Sequence, residues 1–513
     1  MHNPSRRTRV LLGILVYGFL GAAAFAFPWG DSGKLDPRDA AFAPVVIGPV
    51  QGGVQWAVPL EGGPIRVLFI APRFALRDAA ELAHRLELRV ETVPLWDATH
   101  FGRPEEFPRA IPGTSTDEVL KEFLDKIDKK ADVIIAANFD FAALAPEAFA
   151  ALSEKVRAGT GLVLAHHRHT LPDTLKAFLD ELTPDPSGAI VTQGVGETMT
   201  AEWMNGLGFV QCGKIGEGRV VELDFQGEFP LTHCLIPALT NPLLAEREDF
   251  DTYLSLAARA TRWSAGRDVS VTIARVSAKP TPGPEEAQIP PGLEDMVDAN
   301  TPGGASMFHE FTMELSAPAD RTYTVVTGVR KRGRNQAPII NTLKNSELRK
   351  GSQTYDFYVV AGAGDYWLDA WLLDGAKVVE WSSHPIKIDT WPNIADLAIN
   401  KASVLPQDTI GVTFTMSPGN RPCVAFLRAT DAFGRVVAQR HHPIEPETAL
   451  VTIGLGFADL LGDILKIEVF VSDRNMPTMP EWDARVCAYA YKYLPVRQPF
   501  PSDELHVIAD ISG

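Results

Sequence analysis

The chain is 513 residues long, 45% hydrophobic and 22% charged. That is a globular composition, which excludes wholesale disorder and leaves room for about three domains. Its 48 Lys and Arg against 64 Asp and Glu give a net charge of −16, which argues against a nucleic-acid binder with its basic face. The four cysteines, Cys212, Cys234, Cys423 and Cys487, form no CxxC pair and are too few for a disulfide-built scaffold.

Residues 1–9 carry Arg6, Arg7 and Arg9 and no acid, and Val10 to Phe27 is an uninterrupted apolar to weakly polar run. A basic flank before a long apolar stretch is the grammar of an export signal, with Ala24-Phe25-Ala26 as a cleavage candidate. The run also approaches the length of a bilayer span, so residues 1–29 read as a signal peptide or a signal anchor. Residues 30–513 are therefore expected outside the cytoplasm, secreted or periplasmic after cleavage, or membrane-anchored without it. Residues 30–63 read as a linker.

From 64 to 265 strand and helix patterns alternate. Ile65–Ile70, Leu88–Val93, Asp132–Ala137 and Gly161–Ala165 are buried-strand runs. Between them lie helical patterns at Leu76–Leu86, Ser115–Ile127 and Ala145–Ala158, with Ser115 and Glu118 in capping-box spacing. A further helix is expected at Leu171–Leu182. Phe209–Cys212 and Gly218–Phe225 follow as a closing hairpin, then a last helix at Asp249–Trp263. Strands joined by single helices pair in parallel through right-handed crossovers.

The segments DVIIAANFDFAALAPEAFAALSEKVRAGTGLVLAHH, GEGRVVELDF and TYLSLAARATRWSAGRD resemble class I glutamine-amidotransferase-like domains. More narrowly, they resemble the non-catalytic versions in secreted carbohydrate-active proteins, including the trimerisation domain of family 42 β-galactosidases. The resemblance covers roughly 200 residues and implies a flavodoxin-like parallel sheet. In catalytic members a Cys sits on a strained G-x-C-x-G elbow after the strand matching Gly161–Ala165. Here that place reads Ala165-His166-His167-Arg168-His169, so both the nucleophile and the glycine freedom of the elbow are missing. No catalytic residue is assigned.

Ligands of open parallel sheets bind beyond the C-terminal strand ends. That rule nominates Arg73, Asp97, His100, Asn138, Asp140, His166, His167 and His169 as a candidate cleft, with Glu197 from the Gly-rich loop. Three histidines in four residues beside Asp140 are open to several readings: a packed and a solvated side chain, a sugar or other small-ligand site, a divalent metal site, or a general base. The metal assignment stays open, and no cofactor is expected.

Helical periodicity stops near Ala265. Short alternating strands over 266–390 and again over 391–500 argue for two antiparallel, immunoglobulin-like β-sandwiches, the first carrying a Pro-rich insertion at 277–306. VSVTIARVSA at 269 parallels ADLAINKASV at 395, and FHEFTMELSAP at 308 parallels IGVTFTMSPG at 410, which suggests a tandem repeat. Tyr355, Phe357, Tyr358, Tyr366, Trp367, Trp371, Trp381 and Trp391 are read either as sandwich core or as a sugar platform. Lys331-Arg332-Gly333-Arg334 reads as a solvated basic turn or an acidic-glycan contact. Residues 501–513 read as a C-terminal extension or the start of a further domain.

These features converge on an extracytoplasmic, non-enzymatic scaffold or carbohydrate-recognition protein with a degenerate amidotransferase-like domain. The alternative is the accessory N-terminal part of a glycoside hydrolase, or a hydrolase using the His166–His169 cleft. Candidate partners are a glycan or a cell-envelope protein, and a membrane through the uncleaved N-terminal segment. Oligomerisation stays open.

Overall fold

A computed structural model describes residues 54–72, 76–95, 101–102, 115–137, 141–167, 171–192, 207–225, 250–269, 271–279, 308–332, 339–389, 392–417, 422–431, 435–457, 460, 464–472 and 488–497, all within the unit Val45–Gly513. The side chains of 77, 166–167, 207–209, 224–225, 250–253, 308 and 339–342 lie outside that description. So do the expected export signal (1–29), nearly all of the Pro-rich insertion, Trp391 and residues 501–513.

The first region is a seven-stranded sheet in the order β2-β1-β3-β4-β7-β6-β5. Its parallel part comprises β1 (Ile65–Pro72), β2 (Leu88–Leu95), β3 (Val133–Ala137), β4 (Gly161–His167) and β7 (Gly218–Phe225). β6 (Leu207–Ile215) runs antiparallel to β7, and the two-residue β5 (Thr183–Pro184) antiparallel to β6. The β6–β7 turn is Gly216-Glu217, with Gly216 at φ +59°, so the glycine-rich Gly213–Gly218 stretch is the expected hairpin.

All five residues of β3 are buried because helices cover both faces, which is why its sequence does not alternate. On one face Phe69, Ile135, Val163 and Val221 pack on α1 (Leu76–Arg85) and α5 (Phe250–Ser264). On the other, Ile70, Ile134, Leu164 and Val220 pack on α2 (Thr116–Ile127), α3 (Pro146–Arg157) and α4 (Asp173–Leu179). The Ser115–Glu118 capping box forms at the start of α2, and Pro146 opens α3.

The rest of the chain forms two copies of one seven-strand topology. The first copy comprises β8 (Thr272–Ala278), β9 (Phe308–Ala317), β10 (Arg321–Lys331), β11 (Ile339–Leu348), β12 (Gly351–Val360), β13 (Gly364–Asp374) and β14 (Lys377–Ile388). The second comprises β15 (Ile394–Ile399), β16 (Thr409–Met416), β17 (Cys423–Asp431), β18 (Val436–Ile444), β19 (Leu450–Gly456), β20 (Ile464–Ser472) and β21 (Ala488–Pro495). The sheets β12-β9-β8 and β11-β10-β13-β14 recur as β19-β16-β15 and β18-β17-β20-β21. β8–β9 and β15–β16, where the sequence similarity lies, hold equivalent places. Each copy closes around its own core, Phe311, Val325 and Leu368 in one and Phe414, Leu427 and Ile467 in the other.

Most of the aromatics weighed between core and platform are interior. Phe357, Tyr366, Trp367, Trp371 and Trp381 are buried, and Tyr355 and Tyr358 are half-buried. Lys331 departs from the solvated-turn reading: it is 1% exposed, its Nζ 4.7 Å from the Tyr366 ring centroid.

A strap from the expected linker joins the α/β sheet to the first sandwich. Val54, Trp56, Ala57 and Leu60 are buried in the same core as Phe69, Trp371 and Trp381. Ala57 bridges to Leu86 on the α/β side and Leu60 to Val378 on β14. Trp56 Nε1 donates to Ser383 Oγ at 2.9 Å, and Trp371 Nε1 donates to the Gln55 carbonyl at 3.2 Å.

Candidate functional site at the domain seam

The side chains nominated from the switch-point rule cannot be placed together. Arg73, Asp97, His100, Asn138, Asp140, His169 and Glu197 lie outside the described residues. His166 and His167 are described in backbone only, as the last two residues of β4, in register with Asp224 and Phe225. Among the described residues no cluster of His, Cys, Asp and Glu could hold a metal, and no helix is long and apolar enough to cross a membrane. Cys212 sits on β6 with its thiol pushed up to about 12, chiefly by burial and then by Asp185, so it is a poor nucleophile at neutral pH. Cys423 is buried in the second sandwich core.

The densest chemistry lies elsewhere, between α5 and β14. From Leu254 to Ser264 every residue of α5 is buried, because one side of the helix packs on the sheet and the other on the sandwich. Two arginines one turn apart, Arg259 and Arg262, therefore have no solvent to reach, at 5% and 4% exposed. Both converge on Glu380, itself 1% exposed. Arg262 Nη1 donates to Glu380 Oε2 at 3.2 Å, while Arg259 Nη2 lies 3.0 Å from Glu380 Oε1, an ion-pair contact out of hydrogen-bond line. Two donors also reach main-chain acceptors, Arg259 Nη2 the Trp381 carbonyl at 2.6 Å and Arg262 Nη2 the Val379 carbonyl at 2.7 Å, while Arg262 Nε meets none. Both guanidiniums lie over the Trp381 ring, at 5.5 and 5.3 Å from its centroid. Burial pulls the Arg262 pKa below the ordinary arginine value, with Glu380 opposing the shift.

Beside this triad, Ser382 Oγ and His384 Nε2 are 2.5 Å apart. Burial first, and Arg259 second, lower the His384 pKa to about 4. On the other face of β14, Ser383 donates to Asp369, which also pairs with Arg330 at 2.8 Å.

The seam opens into a cleft of about 350 Å³ lined by Ser187, Ile190, Arg259, Arg262, Trp263, Arg267, Asp268, Val269, Thr272, Glu380 and Trp381. It lies at the N-terminal edge of the parallel sheet, opposite the edge nominated from sequence: Ser264 abuts Gly161, the first residue of β4, where an added Cβ would meet the Ser264 carbonyl oxygen at 2.1 Å. The same edge carries two ion pairs, Arg66–Asp132 at 2.5 Å and Arg219–Asp268 at 2.6 Å. Burial would raise the Asp132 carboxyl, but its bonds to Arg66 outweigh that and hold it below the ordinary range. A second cleft, about 380 Å³ between β15 and β21, is lined by Asn400, Lys401 and Tyr493 among others. There Lys401 pairs with Asp408 at 3.0 Å and Asn400 Oδ1 accepts from the Gly411 N–H at 2.8 Å.

Sequence reasoning missed Arg259, Arg262 and Glu380, and read Trp381 only as sandwich core or sugar platform. A signal was present: AARATRW and KVVEWSS each set charge inside an otherwise apolar run, and a charge at such a place needs a buried partner.

No family model and no curated protein matches the chain. Solved structures matched include an α2-macroglobulin of Salmonella reacted with methylamine, at 12% identity and TM-score 0.20, covering 37% of this chain and 16% of that one. The native conformation of E. coli α2-macroglobulin matches at 14% identity and TM-score 0.16, over 37% and 13% of the two chains. This chain thus spans a small part of those proteins, and similarity at that level carries no argument about fold or function.

Proposed function

We propose that this chain is an extracytoplasmic, non-enzymatic scaffold or recognition protein whose α/β domain (64–265) is a degenerate glutamine-amidotransferase-like fold. Its partner is a glycan or a cell-envelope protein. The parallel order β2-β1-β3-β4-β7 supports the flavodoxin-like assignment, and the repeated three-plus-four-strand sandwiches support the immunoglobulin-like one. The observation that carries the reading is the seam. One continuous core runs from the α/β sheet through the strap to Trp371 and Trp381, and the buried charges within it are spent on one another and on main-chain carbonyls. That arrangement fixes two folds in one geometry. The Ala165-His166-His167-Arg168-His169 sequence without a nucleophile, and the raised Cys212 thiol, support the non-enzymatic part.

The test is a glycan-array and polysaccharide pull-down on the full chain, with hydrolysis products assayed in the same tubes. Binding without turnover is expected. Turnover of any bound polysaccharide overturns the non-enzymatic reading and favours the hydrolase alternative.

A further inference from the structure

We propose that the seam cleft binds an oxyanion, a carboxylate or sulfate group carried by a small molecule. The inference goes beyond the scaffold reading and holds whether or not a glycan binds elsewhere.

The first argument is charge. Three guanidiniums line the cleft, those of Arg259, Arg262 and Arg267, against the carboxylates of Glu380 and Asp268. Glu380 is shared by Arg259 and Arg262, and Asp268 is held by Arg219 at 2.6 Å. Among the described residues no carboxylate lies within ion-pair distance of Arg267. Asp132 feels it only through space, and that carboxylate is taken by Arg66. Glu61 also acts on Arg262 from a distance. Within the cleft lining itself three guanidiniums (259, 262, 267) meet two carboxylates (268, 380), an excess of one positive charge. Arg267 is the group left to carry it, half-buried and held against the Gly62 backbone.

The second argument is hydrogen bonding. Trp381 lines the cleft, is 1% exposed, and its only polar side-chain atom, Nε1, is buried without an acceptor. Arg262 Nε is in the same condition. Buried donors are rarely left unmet, and each such exception calls for an acceptor. Ser187 Oγ accepts from Trp263 Nε1 at 3.1 Å and its hydroxyl donates to the Asp185 carboxylate, so this side chain is already satisfied. The wall thus holds two buried donors without acceptors, Trp381 Nε1 and Arg262 Nε, beside one carboxylate oxygen, Glu380 Oε1, that meets Arg259 as an ion pair only. An oxyanion supplies acceptors and negative charge together, and the planar guanidinium fork suits carboxylate and sulfate alike. About 350 Å³ falls in the range of small-molecule sites, roughly 300–1,000 Å³.

The experiment is calorimetric titration of the full chain at low ionic strength with D-glucuronate, with sulfate, and with D-glucose as the uncharged counterpart. Saturable binding of glucuronate, of sulfate or of both is expected, with none of glucose. Glucuronate alone identifies the group as a carboxylate, and sulfate alone as a sulfo group. Arg267→Ala is the deciding variant, because it leaves the Arg259–Glu380–Arg262 triad in place. With an unchanged melting temperature, it should weaken binding at least tenfold, and Arg267→Lys should restore only part. Trp381→Phe keeps the ring under both guanidiniums, removes one N–H, and should weaken binding several-fold. Absence of saturable binding by either anion, equal binding of glucose, or an affinity unmoved by Arg267→Ala overturns the proposal.

Discussion

The two sandwiches share a strand order and use the outer face of the same sheet differently. In the first, that face is turned to the α/β domain. Asp369 on β13 takes Arg330 on one side and Ser383 on the other, and Ser383 in turn receives Trp56 from the strap. In the second, the equivalent strands β17, β20 and β21 carry Phe426, Phe470 and Tyr489, a small cluster of rings. Glu468 there takes Arg428 at 2.8 Å and the Tyr489 hydroxyl at 2.8 Å. The first sandwich meets those rings with Lys331, whose Nζ lies 5.1 Å from the Tyr489 ring centroid. One seam is therefore held by salt bridges and tryptophan, the other by stacked rings and cations. Topology sets where the strands lie, and the outward-facing residues choose the neighbour.

The contrast breaks most sharply at Glu380. Glu380→Ala leaves two buried guanidiniums without a counter-charge and should cost about 3–5 kcal/mol, read as urea unfolding followed by tryptophan fluorescence. Trp56, Trp371 and Trp381 make that signal a reporter of the first seam. Phe470→Ala removes a fully buried ring from the second seam and should cost about 3 kcal/mol. Its transition should show by circular dichroism while the fluorescence midpoint stays near wild type. A fluorescence shift equal to that of Glu380→Ala would mean that the two seams unfold as one.

Acid should also divide them. His384 titrates near 6.5 in the unfolded chain and near about 4 when folded, so between those values the unfolded state binds more protons. Its contribution to stability is complete above about 6.5 and is lost as pH falls toward about 4. His384→Asn should flatten the fluorescence midpoint against pH in that window, and an unchanged slope would remove His384 as its source. In the second seam, Lys331→Met keeps the packing and loses the cation over two rings, a change expected within about 2 kcal/mol. The smallest effect belongs to the solvent-facing Arg157–Glu181 pair, both side chains near 45% exposed. Arg157→Ala should change stability by no more than about 1 kcal/mol.

How much of this was legible depended on whether a residue's partner lay nearby in sequence. The buried strands of the parallel sheet show as apolar runs, and α5, expected at Asp249–Trp263, is found at Phe250–Ser264. β11 is hard to read from sequence because Ile339–Leu348 is an edge strand whose Lys344, Asn345 and Glu347 obscure the alternation. The strap is hard to read for a different reason. Trp56 and Leu60 sit among Gly and Pro and read as linker, while their partners Ser383 and Val378 lie more than 300 positions away. The triad has the same difficulty, with Arg262 and Glu380 118 positions apart. The cleft expected at the C-terminal strand ends falls on side chains outside those the structure describes.

The strap also carries a timetable. Trp56 leaves the ribosome 327 residues ahead of Ser383. At about 5–20 residues per second, Trp56 waits roughly 16–65 s for its partner, and the α/β domain, made once Ser264 is added, has one flank of its core uncovered for the last part of that, about 6–24 s. Trp56, Trp263 and the apolar side of α5 must pass that interval bare or against a chaperone. Export of the unfolded chain would shorten the wait, since the sandwich would then arrive before the flank had folded.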